Sequence, residues 1–428
     1  VSLKSPQLRR ELGVVGATVM GLGSIIGTGV FVSIGIAAGI AGPAVILAVI
    51  IGAMVATCNG LNSAQLAANH PVSGGTYEYG YKYLNSWLGF TAGWMFLLAK
   101  SASAATAALG FAGYFLNATG LSGSLLVPLA IGAVFVITLI VLNGIRRSNL
   151  VNIAIVSISI FSLLFFVLGG INTAIAVGSE NLTPFLKGSS GTVFHASALM
   201  FVAYTGYGRI ATLGEEAKEP RKTIPKAIVV TMIVTMLIYV GVATIAVATV
   251  GAESLGESAL SRQAAPLEVA VRSFNIPGGA QILAIGAISA MLGVLLNLIL
   301  GLSRVLLAMG RRRDMPKIFA LVNQSGTTPT PAVIAVSAII SVLVLIGNVK
   351  TTWSFSAFTV LIYYSITNLA AFFLPQDGRL YPKWLSILGL SACVFLAFWV
   401  EPFIWQLGLA LIVAGLIWHA IAQKLVNH

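Results

Sequence analysis

The chain has 428 residues, of which 57% are hydrophobic and 8% charged, with a mean hydropathy of +0.96 and a formal net charge of +12. Charged residues normally supply about a quarter of a soluble chain, so this composition places the protein in a bilayer. It also excludes disordered, secreted disulfide-stapled and nucleic-acid-binding classes, whatever the net charge suggests. Cys58 and Cys393 lie in apolar runs and read as small buried side chains rather than a disulfide pair.

Apolar runs of about 20 residues predict an all-α membrane protein of twelve transmembrane helices. The spans fall at 13–39, 43–68, 87–117, 124–143, 150–171, 192–214, 226–250, 279–308, 332–347, 351–374, 384–400 and 402–423. Barrel strands would alternate apolar and polar residues over about 10 positions, which these continuous runs do not. Lys4, Arg9 and Arg10 ahead of the first run resemble a signal-peptide n-region, but the run is too long and too polar for cleavage and predicts a retained helix.

An even number of spans puts both termini on one side, and basic residues choose that side. With the termini cytoplasmic, eighteen of the twenty-four lysines and arginines fall in inner segments, among them Arg146, Arg147, Lys218, Arg221, Lys222 and Arg311 to Arg313. Lys187, Arg262, Arg272 and Lys350 fall outside, and Lys100 and Arg209 lie within spans. The expectation is a multi-pass cell-membrane protein with cytoplasmic termini, its positive charge serving topology.

The first span carries Gly23-Ser24-Ile25-Ile26-Gly27-Thr28-Gly29-Val30-Phe31, and each glycine weakens a helix by about 1 kcal/mol relative to alanine. Close packing of small residues is one explanation. The sixth span is interrupted at the corresponding place, Phe201-Val202-Ala203-Tyr204-Thr205-Gly206-Tyr207-Gly208. Spans five apart run in opposite directions, so matched interruptions point to an inverted repeat with a site at the membrane midplane. Broken helices leave N–H and C=O groups that only a polar ligand or cavity satisfies, and a half-helix N-terminus favours an anion. A zwitterion suits both kinds of end.

With those residues in view, the chain resembles the amino acid-polyamine-organocation superfamily of permeases over nearly its whole length. The glycine-rich run of the first span is similar to that family's signature. So are Pro71 to Tyr77 followed by Trp87-Leu88-Gly89-Phe90, the stretch Glu215 to Ile228, and Ser303 to Arg311 ending at Met315-Pro316-Lys317. The resemblance implies a single transporter domain of the leucine-transporter type, with a first repeat at 13–171, an inverted second repeat at 192–374 and two added helices at 384–423. It further implies that an amino acid α-carboxylate rests on N–H groups around Thr28, Gly29 and Val30, with Gly27 also in the substrate-binding set. The α-amino group would meet carbonyls freed near Ile25, Ile26 and Phe201 to Tyr204, including Ala203. Tyr204 and Tyr207, flanking Gly206, would wall or gate the side-chain pocket. Gln65 stands where the family often has an acidic residue.

All twelve acidic residues fall at helix ends or in loops, which argues against a pocket for cationic side chains and against a glutamate proton relay. His70, His195, His419 and His428 make no metal or triad spacing, so no enzyme activity, metal or cofactor is expected. Lys100 lies near the middle of the third span, too deep to snorkel, and an ionisable residue there is a functional candidate; a lysine held by backbone oxygens is the structural alternative. Some relatives carry a lysine in the fifth span in place of sodium, but the matching stretch here, Ala154 to Ser159 around Ser157, has none. Sodium-coupled relatives use hydroxyls in the eighth span, where this sequence has Leu292-Gly293. Lys100 is therefore expected to take the coupling role, with Ser157 and Arg209 as further coupling or gating positions, Arg209 pairing with Glu215 or Glu216.

The expected function is transport of small or apolar neutral amino acids, coupled to protons or working by exchange, with the amino acid, protons and the lipid bilayer as partners and no nucleic acid. Two alternatives stand beside it: an acidic amino acid permease using Lys100 and Arg209, and an amino acid sensor of the same fold that does not transport.

Overall fold

The computed structural model describes residues 12–70, 74–143, 149–186, 188–211, 217–260, 264–323, 328–346 and 348–427. Among these no strand occurs, only an isolated bridge between Leu12 and Ala217. The helices are α1 (Val14–Ile25), α2 (Ile34–Ala41), α3 (Val45–Asn69), α4 (Thr76–Tyr83), α5 (Ser86–Thr119), α6 (Leu126–Leu142), α7 (Asn149–Gly169), α8 (Ile171–Asn181) and α9 (Ser190–Tyr204). They continue with α10 (Gly208–Ala211), α11 (Pro220–Val250), α12 (Ala252–Leu260), α13 (Pro266–Arg272), α14 (Gly279–Arg311), α15 (Thr330–Leu345), α16 (Val349–Phe372), α17 (Lys383–Ala397) and α18 (Pro402–Asn427).

Eight helical segments are long and apolar enough to cross a membrane, and α1, α15 and α17 are shorter apolar helices. One of the eight, Gly29–Asn69, joins parts of two predicted spans through a bend at Gly42, whose φ of 63° is the left-handed conformation glycine adopts at least cost. Pro43 then opens the next turn, where its missing N–H matters least. The fold is that of an all-helical membrane protein. The most buried of these helices are α5 and α16, which form its centre, whereas α6, α7 and α18 present mostly apolar surface outward.

Contacts between connecting segments separate two ends of the bundle. At the first, Lys218 N–H donates to Leu12 O (2.8 Å), Asn69 Nδ2 to Gly378 O (2.5 Å) and Arg221 Nη2 to Asn69 Oδ1 (3.4 Å). Arg312 pairs with Glu78 (2.6 Å), and its guanidinium lies 4.1 Å from the centroid of Tyr81. Beside that pair, Asp314 is buried and its Oδ2 accepts from Tyr77 Oη (2.6 Å) and Tyr81 Oη (2.7 Å), while Oδ1 lies 3.3 Å from His419 Nδ1. This knot ties α4 to the ends of α14 and α18. At the opposite end Glu401 lies 3.3 Å from both His195 and Lys350, joining the starts of α9, α16 and α18.

Polar glue also runs through the interior. Asn62 Nδ2 donates to Asn368 Oδ1 (2.7 Å), Asn368 Nδ2 donates to Asn59 Oδ1, and Ser386 Oγ donates to Asn62 Oδ1 (2.9 Å). These bonds hold α3, α16 and α17 together where apolar surfaces gain nothing by leaving lipid for each other. Gln65 extends the network: its Nε2 donates to Asn62 Oδ1 (2.9 Å) and its Oε1 accepts from Leu380 and Tyr381 N–H (3.3 Å each). Lys4, Arg9, Arg10, Glu11, Pro71 to Ser73, Arg146, Arg147, Lys187, Glu215, Glu216, Arg262 and His428, named from the sequence, lie outside the described residues.

Candidate functional site

The first predicted interruption is a real break. Helix α1 stops at Ile25, Ile26 is extended (φ −72°, ψ 112°), and the chain resumes as a π-helical turn over Gly29–Ser33 that leads into α2. Ile26 N–H donates back to Leu22 O (2.8 Å), and Gly27 O accepts from Val30 (3.1 Å) and Phe31 (3.2 Å). Among the described residues the N–H groups of Gly27 and Thr28 have no backbone acceptor, and Thr28 Oγ1 is buried without a hydrogen-bond partner. Three donors therefore converge at the N-terminus of the segment running on through α2, where the peptide dipoles also favour negative charge.

The second break is narrower than the sequence predicts. Helix α9 continues through Phe201 and Ala203 to Tyr204, and only Thr205–Tyr207, a 3₁₀ turn, separates it from α10. Thr205 Oγ1 donates to Val202 O (2.8 Å), and Thr205 O accepts from Tyr364 Oη (3.2 Å). Glycine is required where the breaks meet. A Cβ on Gly29 would lie 2.5 Å from Ala203 Cβ, and one on Gly206 would collide with the carbonyl of Ser24. Tyr239 of α11 clasps both breaks, donating to Ile25 O (3.0 Å) and lying 3.4 Å from Ala203 O.

The structure brings part of the predicted site together: Ile25 and Gly29 lie against Gly206 and Ala203, whereas Gly27 abuts Val294 of α14, and nearly all of the predicted side chains from Ile25 to Val30 and Phe201 to Tyr207 are buried. Tyr204 packs its ring 5.1 Å from Tyr239 and donates to Val49 O (3.2 Å). Phe201 and Tyr207 lie 5.7 Å and 5.4 Å from Tyr364. Lys100 is buried on α5 and donates from Nζ to Thr205 Oγ1 (2.8 Å), tying α5 to the second break. Arg209 is exposed on α10, and its predicted partners Glu215 and Glu216 are outside the described residues. Ser157 stands apart, exposed on the outward face of α7 with Ile153 and Ile158, whereas Val156 and Ser159 face inward.

Thr205, Tyr239 and Tyr364 escaped sequence reasoning. A tyrosine within an apolar run needs an acceptor at that depth, so Tyr239 carried a signal, but nothing local said that its acceptors lay on α1 and α9.

The chain matches the family model described as amino acid permease over residues 16–425. It is 36% identical to an uncharacterized transporter of Mycobacterium tuberculosis over 392 residues, 92% of this chain and 86% of that relative. A branched-chain amino acid permease of Bacillus subtilis is 29% identical over 340 residues, covering 75% of this chain and 71% of its own. A cationic amino acid transporter of Arabidopsis thaliana is 28% identical over 364 residues, covering 82% and 62%. The chain belongs to the amino acid permease family.

Proposed function

We propose that this permease moves small or apolar neutral amino acids by alternating access around the paired breaks. The observation that carries the reading is the pair of adjacent residues with unpartnered donors, Gly27 and Thr28, beside the carbonyls of Ile25 and Ala203, which Tyr239 Oη reaches at 3.0 and 3.4 Å. The donors suit an α-carboxylate, and the carbonyls suit an α-ammonium. The buried side chains of the two breaks are aliphatic and aromatic, Ile26, Val30, Phe201, Tyr204 and Tyr207. Among the described residues the two buried carboxylates, Glu268 and Asp314, are taken up by Arg272 and by Tyr77 and Tyr81, and neither is bonded to a break. A cationic side chain would therefore lack a counter-charge here, which supports a neutral substrate in this member of the family.

The reading includes twelve spans with two inverted repeats, the Arg-rich end cytoplasmic, and Lys100 as the coupling group. Its hydrogen bond to Thr205 makes the second break sensitive to whether that lysine is charged, and the coupling is to protons or to a second amino acid. Uptake into proteoliposomes across a panel of amino acids, with imposed proton and sodium gradients, tests it. Accumulation of alanine or leucine driven by a proton gradient or by internal amino acid is expected. Sodium-driven accumulation, or glutamate preferred over both, would overturn the coupling or the substrate class respectively, and absence of counterflow for every amino acid would leave a sensor.

A further inference from the structure

Two exposed arginines towards the end of α14, Arg304 and Arg311, take no part in the proposed midplane site. Arg304 and Arg311 are seven residues apart, two helical turns or about 10.5 Å, and lie within about 20° of the same face. Arg312 is committed to Glu78, whereas Arg304 and Arg311 make no ion pair among the described residues. Together with Leu307 and Ala308 these residues line a cavity of about 480 Å³, a volume suited to a small molecule. One carboxylate against three guanidiniums leaves it positive.

The direction this face takes along α14 separates a membrane-lipid surface from a solute path. Nearer the middle of the helix α14 packs against its neighbours: Gly286, on the Arg304 side, abuts Ser162 of α7, and about 80° round from it Val294 lies where a Cβ on Gly27 would be 2.6 Å away. One turn before Arg304 that cover ends, since a Cβ on Gly301 would meet nothing within 4 Å. Asn297, seven residues before Arg304, is half-buried and makes no hydrogen bond among the described residues. An amide left open at that depth needs a polar path beside it. The stripe Asn297, Arg304, Arg311 thus begins about one turn beyond Val294, the residue that abuts Gly27, and finishes in the cavity, while the outward apolar face, marked by Ile285, lies to one side.

We infer that the cavity formed by Arg304, Arg311 and Leu307 is a second, vestibular binding site for the carboxylate of an amino acid entering or leaving at the Arg-rich end. Guanidinium groups take carboxylates in paired hydrogen bonds, and half-buried Leu307 and Ala308 offer apolar contact for a side chain. The inference rests on the transport reading and adds a station to it.

Counterflow of leucine measured separately at each face of uniformly oriented proteoliposomes tests the site. For Arg304→Gln the half-saturation concentration at the Arg-rich face should rise about three- to tenfold, with the other face unchanged, and the difference should shrink in high salt because the groups are solvent-exposed. Arg311→Gln, at an exposed position, should shift the same face, and Arg304→Lys should recover part of the loss. Half-saturation at the Arg-rich face unchanged from the unsubstituted protein in both Arg304→Gln and Arg311→Gln would overturn the site while leaving the transport reading intact. An effect present in phosphatidylglycerol vesicles and absent in phosphatidylcholine would show a lipid headgroup there and would equally overturn it. No counterflow in the unsubstituted protein would remove both.

Discussion

At Gly206 one added methyl group would strike the Ser24 carbonyl, a backbone atom that cannot swing aside, and at Gly29 it would strike Ala203. Forcing atoms into such a contact costs about 1–3 kcal/mol, and here the cost falls on the approach of the two breaks. Gly206→Ala should therefore reduce leucine uptake by about tenfold or more, since each ~1.4 kcal/mol is a factor of ten. Gly132→Ala, where a Cβ meets nothing, should leave uptake unchanged. Lys100 behaves differently: burying an ammonium against one neutral hydroxyl costs several kcal/mol that a single hydrogen bond does not offset. Lys100→Met should flatten the pH profile of uptake while thermal stability in detergent holds or rises; a profile identical to the unsubstituted protein would remove Lys100 from coupling. The depth of Lys100 and the cost of the glycines were legible in the sequence, because both are local properties of one apolar run. Thr205 as the lysine's partner was not, since it lies 105 residues away. Nor was the outward face of Ser157, because lipid-facing and core-facing sides of a membrane helix are equally apolar.

Elements are held at both ends by charge and hydroxyl clusters rather than by apolar packing alone. Asp314→Ala would leave the Tyr77 and Tyr81 hydroxyls short of their acceptor, and at about 1–3 kcal/mol for each such group it should lower thermal stability by several degrees and free α4 from α14. The sequence placed Asp314 in a loop and gave no sign of its burial, because the tyrosines that enclose it come from a helix more than 230 residues earlier. At the other end, burial pushes the Glu401 carboxyl up, but the hydrogen bond and charge of His195 outweigh this and hold it at about 2. A depressed carboxyl stabilises the fold fully above its ordinary value near 4.3 and loses that contribution as pH falls towards 2. Glu401→Gln should be less stable than the unsubstituted protein at pH 6, by about 1 kcal/mol or less given the partly exposed pair, and should melt at a lower temperature. The gap should close as the pH drops from about 4.

Across the whole molecule, the predicted interruptions in the first and sixth runs coincide with breaks that pack on each other, and the Arg312–Glu78 and Glu401 clusters tie separate sets of helix ends. Spans longer than a membrane thickness were legible from hydropathy alone, as α5, α11 and α14 show. The exact extent of the second break was not, since Phe201 to Tyr204 stay helical and only Thr205–Tyr207 depart, a difference decided by Tyr239 and Tyr364 from other helices. In the proposed transport the donors at Gly27 and Thr28 seat the carboxylate, so a substrate without one should be blind to them. Competition of labelled leucine counterflow by leucine and by leucine methyl ester measures this directly: leucine should compete fully and the ester about ten- to a hundredfold less well, the loss expected for a charged hydrogen-bond partner. Equal competition by the ester would contradict a carboxylate seat at the first break.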